Sequence, residues 1–157
     1  MTMLHRDLEN TRIKTVEGNM AITSQYTAGI AGEKFLRALK ERGELLGSYC
    51  GKCKKTFLPV RLFCERCLTR LDETKSAPLD GILESFTKVG IDLNEKKLHQ
   101  SRWIGFVSFR GFEGGLIHYL QVSDEKKLKI GRRVTPHFQP RESRTGSILD
   151  ILYFSLV

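Results

Sequence analysis

The spacing of hydrophobic residues changes along the chain and divides it into four stretches. Residues 1–24 show no sustained apolar period, which fits an N-terminal arm that is flexible or ordered by a partner. Between Glu33 and Arg42, Phe35, Leu36 and Leu39 fall on one face at helical spacing. Glu33 and Arg37 stand four apart with opposite charge, and Gly43 offers a stop. These features predict a helix within residues 25–46 whose single apolar stripe packs on its own domain, with docking to a partner as the competing reading. After Pro78 the pattern becomes that of strands. Gly81–Val89, Trp103–Phe109, Gly115–Val122, Lys129–Phe138 and Ser147–Phe154 are rich in β-branched and aromatic residues and end at turn residues. In Trp103–Phe109, alternation puts Ile104 and Phe106 on one face and Trp103, Val107 and Phe109 on the other. Both faces are apolar, which implies a core on one side and a cover on the other. Asp92–Arg102 reads as a long polar loop, and Gly111–Gly115 as a hairpin turn. The fold expected is mainly β with an N-terminal helical segment, its residues 76–157 forming a small Greek-key barrel of OB type.

Size and charge narrow the picture. The 157 residues suffice for one core plus an accessory module, and 40% hydrophobic against 28% charged residues excludes a disordered polyelectrolyte. No apolar run approaches a membrane span, and the first residues, MTMLHRDLEN, lack a signal peptide's apolar core, so a soluble, cytoplasmic protein without a membrane role is expected. The net charge of +8 is uneven: residues 50–75 hold seven bases against three acids, half of the whole excess. A negatively charged partner is implied, and nucleic acid, an acidic protein and a phosphorylated small ligand all fit.

All four cysteines lie in those same 26 residues. Cys50-Gly-Lys-Cys53 and Cys64-Glu-Arg-Cys67 are two matched pairs separated by ten residues. Each pair forms a turn that points two sulfurs at one centre, and two such knuckles make a tetrahedral thiolate cage. Thiolates suit zinc, or iron in a rubredoxin-like variant. Four cysteines close the coordination shell, so the metal is expected to be structural. Residues 47–75 are too few for a core of their own, and metal ligation must supply much of their folding energy. With −4 from sulfur and +2 from the metal, a loaded cage lowers the net charge to about +6. That suits a few phosphates better than a long polyanion.

Catalytic motifs are missing. The chain has no G-x-S-x-G, H-E-x-x-H, P-loop or G-x-G-x-x-G, and no thiol remains outside the cage. His5 falls in the arm and His99 in the polar loop, while His118 and His137 fall in strands, where a satisfied barrel histidine is the simpler reading. A binding protein is therefore expected, not an enzyme. Of the aromatic residues, most fill the barrel, and Trp103 beside Arg102 is the best candidate for an exposed stack.

The order of parts, apolar helix, four-cysteine ribbon and basic barrel, carries a resemblance. The string from Gly47 to Cys67 (GSYCGKCKKTFLPVRLFCERC) resembles the acyl-CoA-associated family of rubredoxin-like zinc ribbon plus OB-fold proteins, long labelled a domain of unknown function. Tyr26-Thr-Ala-Gly29, Gly32-Glu-Lys-Phe35 and Leu128-Lys-Ile-Gly131 extend it over the rest of the chain. Two positions depart from the family pattern: Lys54 stands where glycine is usual, and Val60 replaces the second of two prolines before Arg61. The resemblance implies a non-catalytic accessory or bridging subunit beside a thiolase-like, hydroxymethylglutaryl-CoA-synthase-like or related acyl-CoA enzyme. It also implies contact with acyl-CoA, with Arg61 first for a phosphate and Lys54 and Arg102 behind it. A nucleic-acid-binding ribbon and barrel is the competing expectation, and an iron-bearing electron carrier a third.

Overall fold

The computed structural model describes residues 27–91 and 96–157. The N-terminal arm, with His5, lies outside them. Helix α1 (Gly29–Arg42) buries Phe35, Ala38 and Leu39. Its Arg37 pairs with Glu33, and Gly43 closes it at φ 67, donating back to the Leu39 carbonyl. The helix starts four residues before the expected Glu33, because Gly29–Gly32 carry no apolar stripe that would announce them. As expected, its apolar face packs on its own chain.

Three short strands follow: β1 (Leu46–Cys50), β2 (Lys55–Leu58) and β3 (Glu73–Ser76). β1 lies between the other two, antiparallel to both. The barrel comprises β4 (Gly81–Ile91), β5 (Lys97–Phe109), β6 (Glu113–Gln121), β7 (Arg133–Phe138) and β8 (Ile151–Leu156). Their order is β6-β5-β4-β7-β8, and a parallel pairing of Leu120 with Phe154 joins β8 back to β6. Five strands thus close on themselves, the mainly β ribbon-plus-barrel architecture read from the sequence.

Several boundaries differ from those expected. Residues 97–102 are not loop: they extend β5, with Lys97 opposite Ile91 and Arg102 opposite Val89. This end of the hairpin runs past the barrel, exposing nearly every residue, so no apolar alternation marks it. The fourth strand begins at Arg133 rather than Lys129, since Lys129–Arg132 form a turn around Gly131. Residues 148–150 are a single 3-10 turn capped by Ser147, so the last strand starts at Ile151.

Ribbon and barrel are continuous. β2 runs parallel to β6, with Phe57 beside Glu113 and Leu58 beside Gly114. Gly114 makes this approach possible. Its φ is +89, and a Cβ there would lie 2.4 Å from the Leu58 carbonyl oxygen. One buried cluster then runs through all the parts: Phe35 and Leu39 from α1, Leu58 and Val60 from the ribbon base, Val107, Phe109 and Phe154 from the barrel. A second, small cluster of Cys50, Phe57, Cys64 and Leu71 belongs to the cysteine end alone.

On β5, Val107 and Phe109 face the core, as alternation predicts. The opposite face is only partly covered. Ile104 and Phe106 are half-buried, while their cross-strand neighbour Ile117 is 71% exposed.

Candidate metal centre and basic surface

The cage assembles from the end of β1 and two turns. Cys50 closes β1, and the turn after it presents Cys53, whose backbone N–H donates to the Cys50 sulfur at 3.4 Å. Cys64 and Cys67 sit on a second turn, where the Cys64 N–H donates to Thr69 O and the Leu68 N–H to Cys64 O. The four sulfurs lie within 4.8 Å of one another; Cys50–Cys67 are 3.6 Å apart and Cys53–Cys64 3.8 Å. A tetrahedral ion holding sulfur at about 2.3 Å sets its ligands about 3.8 Å apart, close to the two shorter separations here, so the four sulfurs suit a tetrahedral ion such as zinc.

The electrostatics agree. Sulfurs this close cannot all be anionic unaided, and the protons divide unequally. The Cys67 thiol is drawn down to about 6, chiefly by the Thr69 hydroxyl 3.3 Å away and then by the Thr69 backbone N–H. The Cys53 thiol is pushed up to about 12, first by its hydrogen bond to Cys67. A divalent cation at the centre removes the conflict by stabilising all four thiolates at once. When bound, zinc supplies cohesion here and no open coordination position, since the chain fills all four.

Behind the cage, Ser48 lies two residues before Cys50 on the same face of β1 and is fully buried. Its hydroxyl donates to the Arg61 carbonyl and accepts from the Arg61 N–H, both at 2.9 Å. This clamp fixes the path from β2 into the second knuckle. Glu113 ties the ribbon to β6: Lys55 approaches it at 2.9 Å and Arg66 at 3.0 Å. Its carboxyl is held below the usual range, first by the Lys55 hydrogen bond and then by the charge of Arg66. The sequence reading missed Ser48, Thr69 and Glu113. The i,i+2 spacing of Ser48 from Cys50 and of Thr69 from Cys67 was the available signal; Glu113 depends on long-range contacts.

The four candidate ligand residues fall in two places. Arg61 lies over Gly114, at the start of β6, with its guanidinium 5.1 Å from the Phe57 ring and paired with Glu65. Lys54 is exposed on the first knuckle, at φ 53. Glycine suits that left-handed backbone, and the lysine adopts it nonetheless. Arg102 and Trp103 sit at the other end of β6, where Trp103 pairs with Leu120. Six residues of β6, about 20 Å, separate the two groups. Trp103 is half-buried, edge-on to Phe86 at 5.7 Å and capped by Lys88 at 5.2 Å. Arg102 lies over Tyr119 at 5.4 Å. With Tyr119, Leu120, Leu152 and Tyr153 these two line an open groove of about 460 Å³.

No acid–base constellation forms among the described residues. Burial holds His118 below the usual imidazole value, partly opposed by its hydrogen bond to the Ile148 carbonyl at 3.2 Å, so the ring is neutral at pH 7. His137 bonds Ser155 at 2.8 Å and lies against Tyr153. Asp150 is 2% exposed. Burial alone would raise its carboxyl, but the N–H groups of Thr145, Gly146 and Ser147 and the Thr145 hydroxyl outweigh this and hold it low. Both groups serve the loop before β8.

The fold and the cage define a rubredoxin-like zinc ribbon continuous with a small closed barrel. Residues 37–72 match the ChsH2 rubredoxin-like zinc ribbon domain family. Over 82% of this chain and 84% of the other, the fold is that of a protein of unknown function from the DUF35 family of Sulfolobus solfataricus, with 26% identity and a TM-score of 0.62. The Ltp2-ChsH2(DUF35) aldolase is also similar, at 16% identity and a TM-score of 0.59, covering 84% of this chain and 97% of that one. No curated protein matches. The resemblance read from the sequence therefore holds: the chain carries a ChsH2-type ribbon on a fold shared with DUF35 proteins.

Proposed function

We propose that the protein is a non-catalytic accessory subunit of an acyl-CoA enzyme complex, joining an enzyme subunit and contacting its thioester ligand. The observation that carries this reading is the joint one of a ChsH2-type ribbon and a fold shared with a protein whose structure is an aldolase assembly. The chemistry of the chain is consistent with it. Its cysteines are taken up by the cage, His118 is buried and neutral, and Asp150 is committed to backbone donors. Its resources are those of recognition, namely exposed bases and an aromatic-lined groove.

For the ligand, the groove at Arg102 and Trp103 is the better of the two places. It combines rings and aliphatic carbon with a guanidinium, as a ligand with an apolar arm and a phosphorylated end requires. Arg61 is already engaged with Glu65 and Phe57, so its part falls to orienting the knuckle, with Lys54 left as an exposed base of the ribbon. A thiolase-like or hydroxymethylglutaryl-CoA-synthase-like enzyme is the proposed partner type.

Nucleic acid is the second reading, and the barrel argues against it. Phe109 is buried in the core and Trp103 packs edge-on to Phe86, so these rings do not form a stacking platform. Calorimetric titration with acetyl-CoA, beside salt-titrated binding to labelled single strands, separates the two. Acetyl-CoA binding that weakens on Arg102→Gln is the expected result. Micromolar single-strand affinity with a steep salt slope, and no acetyl-CoA binding, overturns the proposal.

A further inference from the structure

The second knuckle displays what folding alone does not require. Leu68 is 76% exposed, more than any other large hydrophobic residue among those described, and its N–H donates to the carbonyl of Cys64, whose chain neighbour Phe63 is 56% exposed. Leu68 also sits at φ 56, in the left-handed region that penalises a side chain with a Cβ and favours glycine. It stands directly after Cys67, as Lys54 stands directly after Cys53. A residue that is both exposed and conformationally strained adds nothing to the ribbon's own stability. Glycine there would relieve the backbone and remove apolar surface from water.

Phe63 and Arg70 face each other across the bridge that frames this turn, so the apolar pair is set among charges. Arg70 and Arg66 are exposed but paired, with Asp72 at 3.2 Å and Glu113 at 3.0 Å. On the neighbouring knuckle, Lys52 and Lys54 are exposed and pair with no acid among the described residues. The surface around the cage is thus apolar at Phe63 and Leu68, with free cationic charge at its side.

We infer that Phe63 and Leu68 form an apolar tip that docks the ribbon into a socket on the enzyme subunit, with the carboxylates of that socket's rim meeting Lys52 and Lys54. This rests on the accessory-subunit reading and names the surface it uses. Charge complementarity selects the occupant. A second copy of this chain, itself at about +6 with its cage loaded, is a poor match for a basic tip. An anionic membrane calls for a cluster of about four to eight free bases, and two free lysines fall short.

The full-length, zinc-loaded chain is purified with its enzyme subunit from the native host. Binding of that subunit is then measured for the wild type, Leu68→Gly, Phe63→Ser and the barrel variant Ile117→Ser. The expected result is that Leu68→Gly holds its zinc to a higher temperature than the wild type yet binds the subunit about tenfold or more weakly. Phe63→Ser should weaken binding similarly, and Ile117→Ser should not. Opposite signs for stability and binding cannot arise from damage to the ribbon. Wild-type affinity in both ribbon variants overturns the inference while leaving the accessory reading intact, as does binding lost only with Ile117→Ser. If the chain brings down no enzyme subunit at all, the accessory reading fails and the inference fails with it. Binding to phosphatidylserine vesicles that Phe63→Ser abolishes would assign the tip to a membrane and also overturn it.

Discussion

The two ends of this molecule hold together by different means. Around the barrel, fifteen buried hydrophobic residues from the helix, the ribbon base and the five strands share one cluster. At the cage end the second cluster has four members, two of them cysteine ligands. Burying a large apolar side chain contributes roughly 1.5–3 kcal/mol, so the cage end, with Phe57 and Leu71 as its only buried non-ligand members, cannot order its turns by burial. Coordination replaces the missing core. The joint between the ends, β2 beside β6, is where a segment with almost no core of its own meets the segment that holds the main core.

The largest expected effect comes from opening the cage. Cys64→Ser should release the metal, remove hydrogen-exchange protection from residues 50–71 and leave β5 and β6 protected. Metal analysis and amide exchange read both consequences, and loss of protection throughout would show that the joint transmits unfolding. The wild-type chain should carry one colourless zinc; a visible absorption band in the fresh protein would assign iron instead.

A smaller effect should follow from breaking the joint itself. Gly114→Ala places a Cβ against the Leu58 carbonyl and forces a side chain into φ +89. A destabilisation of about 2–4 kcal/mol in denaturant titration is expected. Zinc should stay bound, since no ligand is touched. Loss of zinc in this variant would show that the cage depends on the barrel's support.

Acid should separate the two ends more gently. Thiolates take up protons and release metal first as pH falls. Asp150 follows at lower pH. Its folded-state pKa is depressed, so its contribution is present above the unfolded value of about 3.9 and is lost as pH falls through the folded value. Asp150→Asn should therefore flatten the acid limb of the barrel's melting temperature below about pH 4 without moving the pH at which zinc leaves. An unchanged acid limb would show that other carboxylates govern it.

Much of the cage end was legible in the sequence because its chemistry is local. Two C-x-x-C pairs fix four ligands by turn geometry, and no distant residue is needed to see the centre. The helix showed itself by a short apolar stripe and a stopping glycine for the same reason. Residues 97–102 were not legible, because a hairpin exposed on both faces has no apolar alternation. The candidate ligand residues divided for a related reason. Arg61 and Arg102 belong to one surface in a sequence reading, but their separation is set by the length of β6, with which each makes contact only after folding.

The donor set, its tetrahedral demand for a metal and the mainly β texture that follows it are written in local spacing, since each depends on neighbours a few residues apart. Tertiary structure alone decided that the ribbon is continuous with the barrel through Leu58 and Gly114. It also set Arg102 and Trp103 in a groove with Tyr119 and Tyr153, and left Phe63 and Leu68 exposed beside the cage. These outcomes depend on which distant strands pair and what each pairing covers, and no local spacing encodes that.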